Sequence, residues 1–229
     1  MRVLAGGSKL PAMNACHRCG DGGASDGSGP GPFSEGEAPP DSDDLGELAQ
    51  ACERYVERAV GIQLDSTPDT LPVLDHYVRL ARASVDERPE LLPVVARVVA
   101  AYFGHLICSQ LGFFWRRPSP DVHTWQLCGG TAMLAINPVG VAYDALHVSA
   151  EHDGPSSQLR VGREERAAVD RRLHALPPVA EEDYFTLSTR WEVLEVAIEA
   201  LRGEMLREGL SDVRFELDDY AADPDFQPD

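Results

Sequence analysis

Between Val94 and Leu111 the chain is almost continuously apolar, and Val94, Val95, Val98, Val99, Ala101, Tyr102, Leu106, Cys108 and Leu111 fall on nearly every side of a helix. A helix oily around most of its circumference must be surrounded by other elements, so this segment sets the centre of the fold. The spacing predicts that it opens at Glu90 to Pro93 and ends at Gly112. A bilayer-crossing helix needs roughly 18 or more apolar residues in succession. Val94 to Cys108 is shorter and carries Arg97 and His105, so the expectation is a buried core helix and no membrane association.

The flanking sequence supplies amphipathic partners. Leu45, Leu48, Cys52, Tyr55, Val56 and Ala59 recur three or four apart from Asp43 or Asp44 until Gly61. Thr67, Pro68 and Asp69 form a helix-start signal, and Leu71, Leu74, Val78 and Ala81 make the stripe that follows. After Gly112, two β-like runs, Val122 to Cys128 and Thr131 to Ile136, flank Gly129-Gly130 and predict a hairpin over 122–136. Asn137 then caps a short helix beginning with Pro138. A polar loop over 151–162 leads to a charged helix from Arg163 to Leu176, closed by Pro177 and Pro178. From Glu181 to Glu208, Tyr184, Leu187, Trp191, Leu194, Ile198, Leu201 and Met205 alternate three and four apart, a heptad seam. The seam packs on the chain's own core or pairs with a second copy as a homodimer; intramolecular packing is the simpler reading. Val213, Phe215 and Leu217 alternate with charges and suggest a strand over 212–217 beside the hairpin. The fold class expected is α+β, mainly helical, with helices packed on a small antiparallel sheet.

The ends read differently. Residues 1–42 are dominated by Gly, Ser, Pro and acids, a composition that buries too little surface to offset its ordering entropy, and are expected to be a disordered leader. Residues 43–217 form one domain, and 218–229 an acidic disordered tail. The net charge is −18: residues 1–53 carry nine acids against three bases, and 216–229 six acids and no base. Such a surface repels phosphate backbones, which argues against nucleic acid as a partner. Met13 is a second candidate start beside Met1, and because only Val3 to Ala5 follow Arg2 before glycines and Lys9, no secretory signal is expected. Five cysteines, three of them in apolar surroundings, fit a reducing compartment, so the expected location is the cytoplasm.

Candidate chemistry is sparse. Cys16 and Cys19, two residues apart, are half of a zinc site, with no second pair downstream to complete it. Asp144, His147, Glu151, His152 and Asp153 crowd into ten positions with a metal-ligand composition, but their spacing matches no metal motif and the expected reading is a solvated helix end. Tyr102 and His105 on the central helix, with His123 and Trp125 on the first hairpin run, are candidates to line one pocket. Leu187, Trp191, Leu194, Ile198 and Leu201 are the candidate interface. No phosphate loop and no nucleophile elbow occurs, and no cofactor is called for.

Ala100-Ala101-Tyr102-Phe103-Gly104-His105-Leu106, followed by Trp115, a hairpin and Asn137-Pro138-Val139-Gly140, resembles a pattern of uncharacterised bacterial proteins. In those a small-residue Tyr-aliphatic-Gly helix precedes a Trp, a short hairpin and an Asn-Pro helix start. The likeness covers about Leu64 to His147, and His105 stands where the pattern leads one to expect an acid. It implies an α+β domain of unknown function and assigns no catalytic residue. Two function classes follow: a non-catalytic cytoplasmic protein acting through an unidentified protein partner, and, as the alternative, a metal-binding protein or hydrolase-type enzyme using His105, His123 or His147.

Overall fold

The computed structural model describes residues 43–227. Three helices come first: α1 (Leu45–Val60), α2 (Leu71–Glu87) and α3 (Leu92–Leu111). Then β1 (Phe113–Arg116), β2 (Gln126–Gly129) and β3 (Leu134–Ile136) lead into α4 (Pro138–His147). The two-residue strand β4 (Arg160–Val161) precedes α5 (Arg166–Leu173), α6 (Glu181–Tyr184), α7 (Leu187–Arg207) and α8 (Leu217–Ala222). The four strands form one antiparallel sheet in the order β1-β2-β3-β4, so the architecture is α+β and mainly helical, as the periodicities predict.

α3 is the central helix, packed chiefly between α1 and α4. Val95, Val98, Val99, Phe103, Leu106 and Ile107 have no solvent exposure. By length and apolarity alone Pro89–Leu111 would cross a bilayer, but its surface is mostly buried inside the fold. The caps explain the boundaries. Asp44 accepts from Gly46 N and Glu47 N at 2.8 and 3.0 Å, and Gly61 closes α1 in the left-handed region at φ 77°. Asn137 caps α4 through Val139 N and Gly140 N and donates to Val122 O at 2.8 Å, tying the helix start to the turn before β2.

Several expectations are corrected. The hairpin is one strand pair of a longer meander, because Phe113–Arg116 also pairs with Gln126–Gly129 and β4 adds to β3. The first predicted run begins as a 3-10 turn, Val122–Thr124, and not as a strand. The predicted Glu181–Glu208 helix is broken at Phe185 and Thr186, where the Thr186 hydroxyl accepts from Thr189 N and starts α7 afresh. The start of α7 is also held from outside: the buried Asp75 carboxylate of α2 accepts from Leu187 N at 2.7 Å and Ser188 N at 3.2 Å. Burial pushes that carboxyl above its ordinary value, against the pull of those donors.

Residues 212–217 are not a strand; only Phe215 N reaches the sheet, at Gly130 O, 3.0 Å away, and Val213 and Leu217 face solvent. Nor are 218–227 a disordered tail. α8 and the 3-10 turn Pro224–Phe226 deliver Tyr220 and Phe226, both fully buried, onto Cys128 and Ala135, forming a second small core on the sheet. Tyr220 Oη donates to Gly129 O at 2.8 Å and accepts from Leu134 N at 3.1 Å. Arg116 donates to Phe226 O at 2.7 Å. Two buried aromatic rings outweigh the acid-rich composition, because Tyr220 satisfies backbone groups of the sheet while Arg116 of β1 satisfies the carbonyl of Phe226. Residues 1–42, including the predicted leader and Cys16 and Cys19, lie outside the described residues.

Candidate functional site

The pocket anticipated from Tyr102, His105, His123 and Trp125 does not assemble. Tyr102 is buried, with its hydroxyl accepting from Ser66 N at 3.0 Å, whereas His105 lies on the exposed side of α3. Trp125 is buried edge-on to Trp115 at 6.1 Å and donates to Ser119 O, while His123 is exposed in the 3-10 turn. The alternation argument failed because residues 122–124 are helical, which rotates His123 away from the face that takes Trp125.

The polar cluster after α4 is not a solvated helix end. Asp144 is buried on the inner face of that helix, and its carboxylate collects three donors. His152 Nε2 meets Oδ1 at 2.9 Å, Arg190 Nη2 meets Oδ2 at 2.9 Å, and the Ser157 hydroxyl also donates to Oδ2. The His152 side chain is only 4% exposed and that of Arg190 13%. Gly154 N donates to His152 Nδ1 at 3.1 Å, which fixes the tautomer: the hydrogen is on Nε2 and points at Asp144. His147 does not reach Asp144; it is exposed and stacks on the His152 ring at 5.4 Å. Glu151 and Asp153 are exposed outside the cluster.

Local geometry explains how the loop closes over Asp144. Val148 ends α4 in the left-handed region at φ 52°, an unusual place for a β-branched residue. Arg82 of α2 holds the preceding carbonyl, donating through Nε and Nη2 to Ala145 O at 3.0 and 2.8 Å. Gly140 then lets the loop backbone lie directly on the helix, since a Cβ there would come within 2.6 Å of Pro155 O. Beyond the loop, the Arg190 guanidinium sits over the Tyr184 ring at 4.8 Å and the Phe185 ring at 5.9 Å. The result is a cleft of about 580 Å³ between the loop, α5 and the α6–α7 junction.

Chemically, Asp144 stands between His152 and Ser157, and no hydrogen bond joins that serine to the histidine. A nucleophile needs its base beside it, so the set is not a hydrolytic triad. Both His152 nitrogens are occupied within the protein, which leaves no lone pair for a metal or a substrate proton. Among the described residues no three His, Cys, Asp or Glu side chains come together as a metal-holding group. Cys52, Cys108 and Cys128 are free thiols; burial pushes Cys108 up to about 11 and Cys128 up to about 12, and Cys52 higher still. Ser157 and Arg190 went unnoticed in the sequence: they lie 13 and 46 positions from Asp144, and no local periodicity links them.

The candidate interface is corrected as well. Leu187, Trp191, Leu194 and Leu201 are buried in the chain's own core, where α7 meets α2, α4 and α5. Ile198 alone of that set is half-buried, and with Leu111, Met205 and Leu206 it lines a second hollow of about 580 Å³ beside the β2–β3 turn. Past it, Leu206, Leu210, Val213 and Leu217 are between 36% and 67% exposed. The chain matches no protein-family model, no curated protein and no solved structure.

Proposed function

We propose that the protein is a non-catalytic bacterial cytoplasmic protein that works by docking a basic, amphipathic segment of another protein on the C-terminal half of α7. The exposed run Leu206, Leu210, Val213 and Leu217 beside the Ile198 groove carries this reading. Single exposed apolar residues are ordinary; four in twelve positions next to an apolar hollow mark a contact surface. The charge around them gives the partner its chemistry. Residues 192–219 carry nine acids and three bases, and Glu195 and Glu199 line the groove itself. Complementarity therefore favours a basic segment and disfavours a second copy of this chain, whose acids would meet their like. The Asp144 carboxylate, already engaged by His152, Ser157 and Arg190, supports a non-catalytic role, and the three inert thiols suit a reducing compartment.

The test compares the full chain with its Leu206→Asp/Leu210→Asp variant as baits in extract of the native host. A protein retained by the first, released by added salt and lost with the second at an unchanged unfolding midpoint is the expected outcome. Equal retention by both baits, or none by either, refutes the reading.

A further inference from the structure

We propose that the cleft beside Asp144 binds a small organic carboxylate with a short apolar body. Its volume, about 580 Å³, lies within the range of roughly 300 to 1,000 Å³ typical of small-molecule sites. The walls combine aliphatic and aromatic side chains, Ile136, Leu159, Leu173, Phe185 and Val193, with polar ones that include Ser156, Gln158 and Arg166.

The charged lining is net positive, on a chain of net charge −18. The ionised side chains lining the cleft are Arg166, Arg190 and Asp144. Asp144 offsets one guanidinium, and Arg166 makes no side-chain hydrogen bond or ion pair among the described residues. Arg190 is committed to Asp144 through Nη2, and its Nε is buried out of a ligand's reach, so the guanidinium free to meet a ligand is that of Arg166. A planar carboxylate fits guanidinium geometry through two parallel hydrogen bonds. One net positive charge is matched by one negative charge, and the acidic surroundings repel anything more highly charged, so a phosphate ester is disfavoured. The cleft shares no lining residue with the groove on α7, and this inference stands apart from the docking reading.

Hexanoate is a suitable probe, with hexanamide as its uncharged counterpart and inorganic phosphate as a charge without an apolar body. Calorimetric titration of the full chain is expected to give saturable hexanoate binding with Kd near about 1 mM and at least tenfold weaker binding of the other two. Arg166→Met should weaken hexanoate about tenfold, whereas Arg171→Met, exposed on the same helix, should not. Protection of Arg166 by hexanoate against phenylglyoxal, read by mass spectrometry, gives the same answer without a substitution. Four results overturn the proposal: no saturation by about 10 mM, equal binding of hexanamide or phosphate, undiminished binding by Arg166→Met, or no protection of Arg166.

Discussion

Two glycines in long helices should respond to alanine with opposite signs. In a solvent-facing helix interior, Gly→Ala stabilises by about 0.8–1 kcal/mol, because alanine loses less conformational entropy. Gly203 of α7 meets that condition: a Cβ there has nothing within 4 Å, so the full gain is expected. Gly104 of α3 does not. A Cβ there would lie 2.2 Å from Trp115 Cζ2 and 2.9 Å from Cη2, where carbon contacts normally begin near about 3.5 Å. The indole must retreat by more than about 1 Å. It is held by strand pairing of Trp115 with Leu127 and by the edge contact with Trp125 at 6.1 Å.

Overpacking of this kind costs about 1–3 kcal/mol, and a clash this deep belongs at the upper end. Subtracting the helix gain leaves Gly104→Ala about 1–2 kcal/mol less stable, a fall of roughly 2–8 °C in melting temperature for a domain of this size. Gly203→Ala should rise by about 2–4 °C. Thermal and urea unfolding followed by tryptophan fluorescence measures both, with equal urea m-values required for the comparison. If both variants shift in the same direction, the indole is not the reason for Gly104 and the packing argument fails.

Two further substitutions test the buried polar contacts. Asp144→Ala removes the carboxylate that, among the described residues, answers Arg190 and should cost about 3–5 kcal/mol; Asp144→Ala/Arg190→Met should recover a large part of it. Chemical denaturation of the four species gives the coupling, and strictly additive losses would mean that the two side chains do not depend on each other. Tyr220→Phe strips one hydroxyl from Gly129 O and Leu134 N, and should cost about 1–3 kcal/mol while speeding hydrogen exchange at the Leu134 amide. A wild-type exchange rate there would detach α8 from the sheet.

The order of the helices, their caps at Asp44 and Asn137, and the central place of α3 were legible because each depends on neighbours within a few positions. Hydrophobic spacing also identified the buried face of α7, though the same heptad could not say whose core would bury it. What failed was whatever depends on a partner remote in sequence. Asp144 reads as a helix-end acid until Arg190 arrives from 46 positions away, and an acid-rich terminus reads as solvated until Tyr220 finds Leu134 86 positions earlier.

Gly104, Trp115 and Asn137 are joined through packing and backbone contacts. Gly104 is the space that Trp115 enters, and β1 begins directly after the Gly112 cap, so the ring can return to α3 only across that turn. Asn137 in turn fastens α4 to the residues just before β2, the strand against which β1 is paired. These residues thus form one mechanical unit, central helix to sheet to next helix, and His105 is outside it on the exposed side of α3.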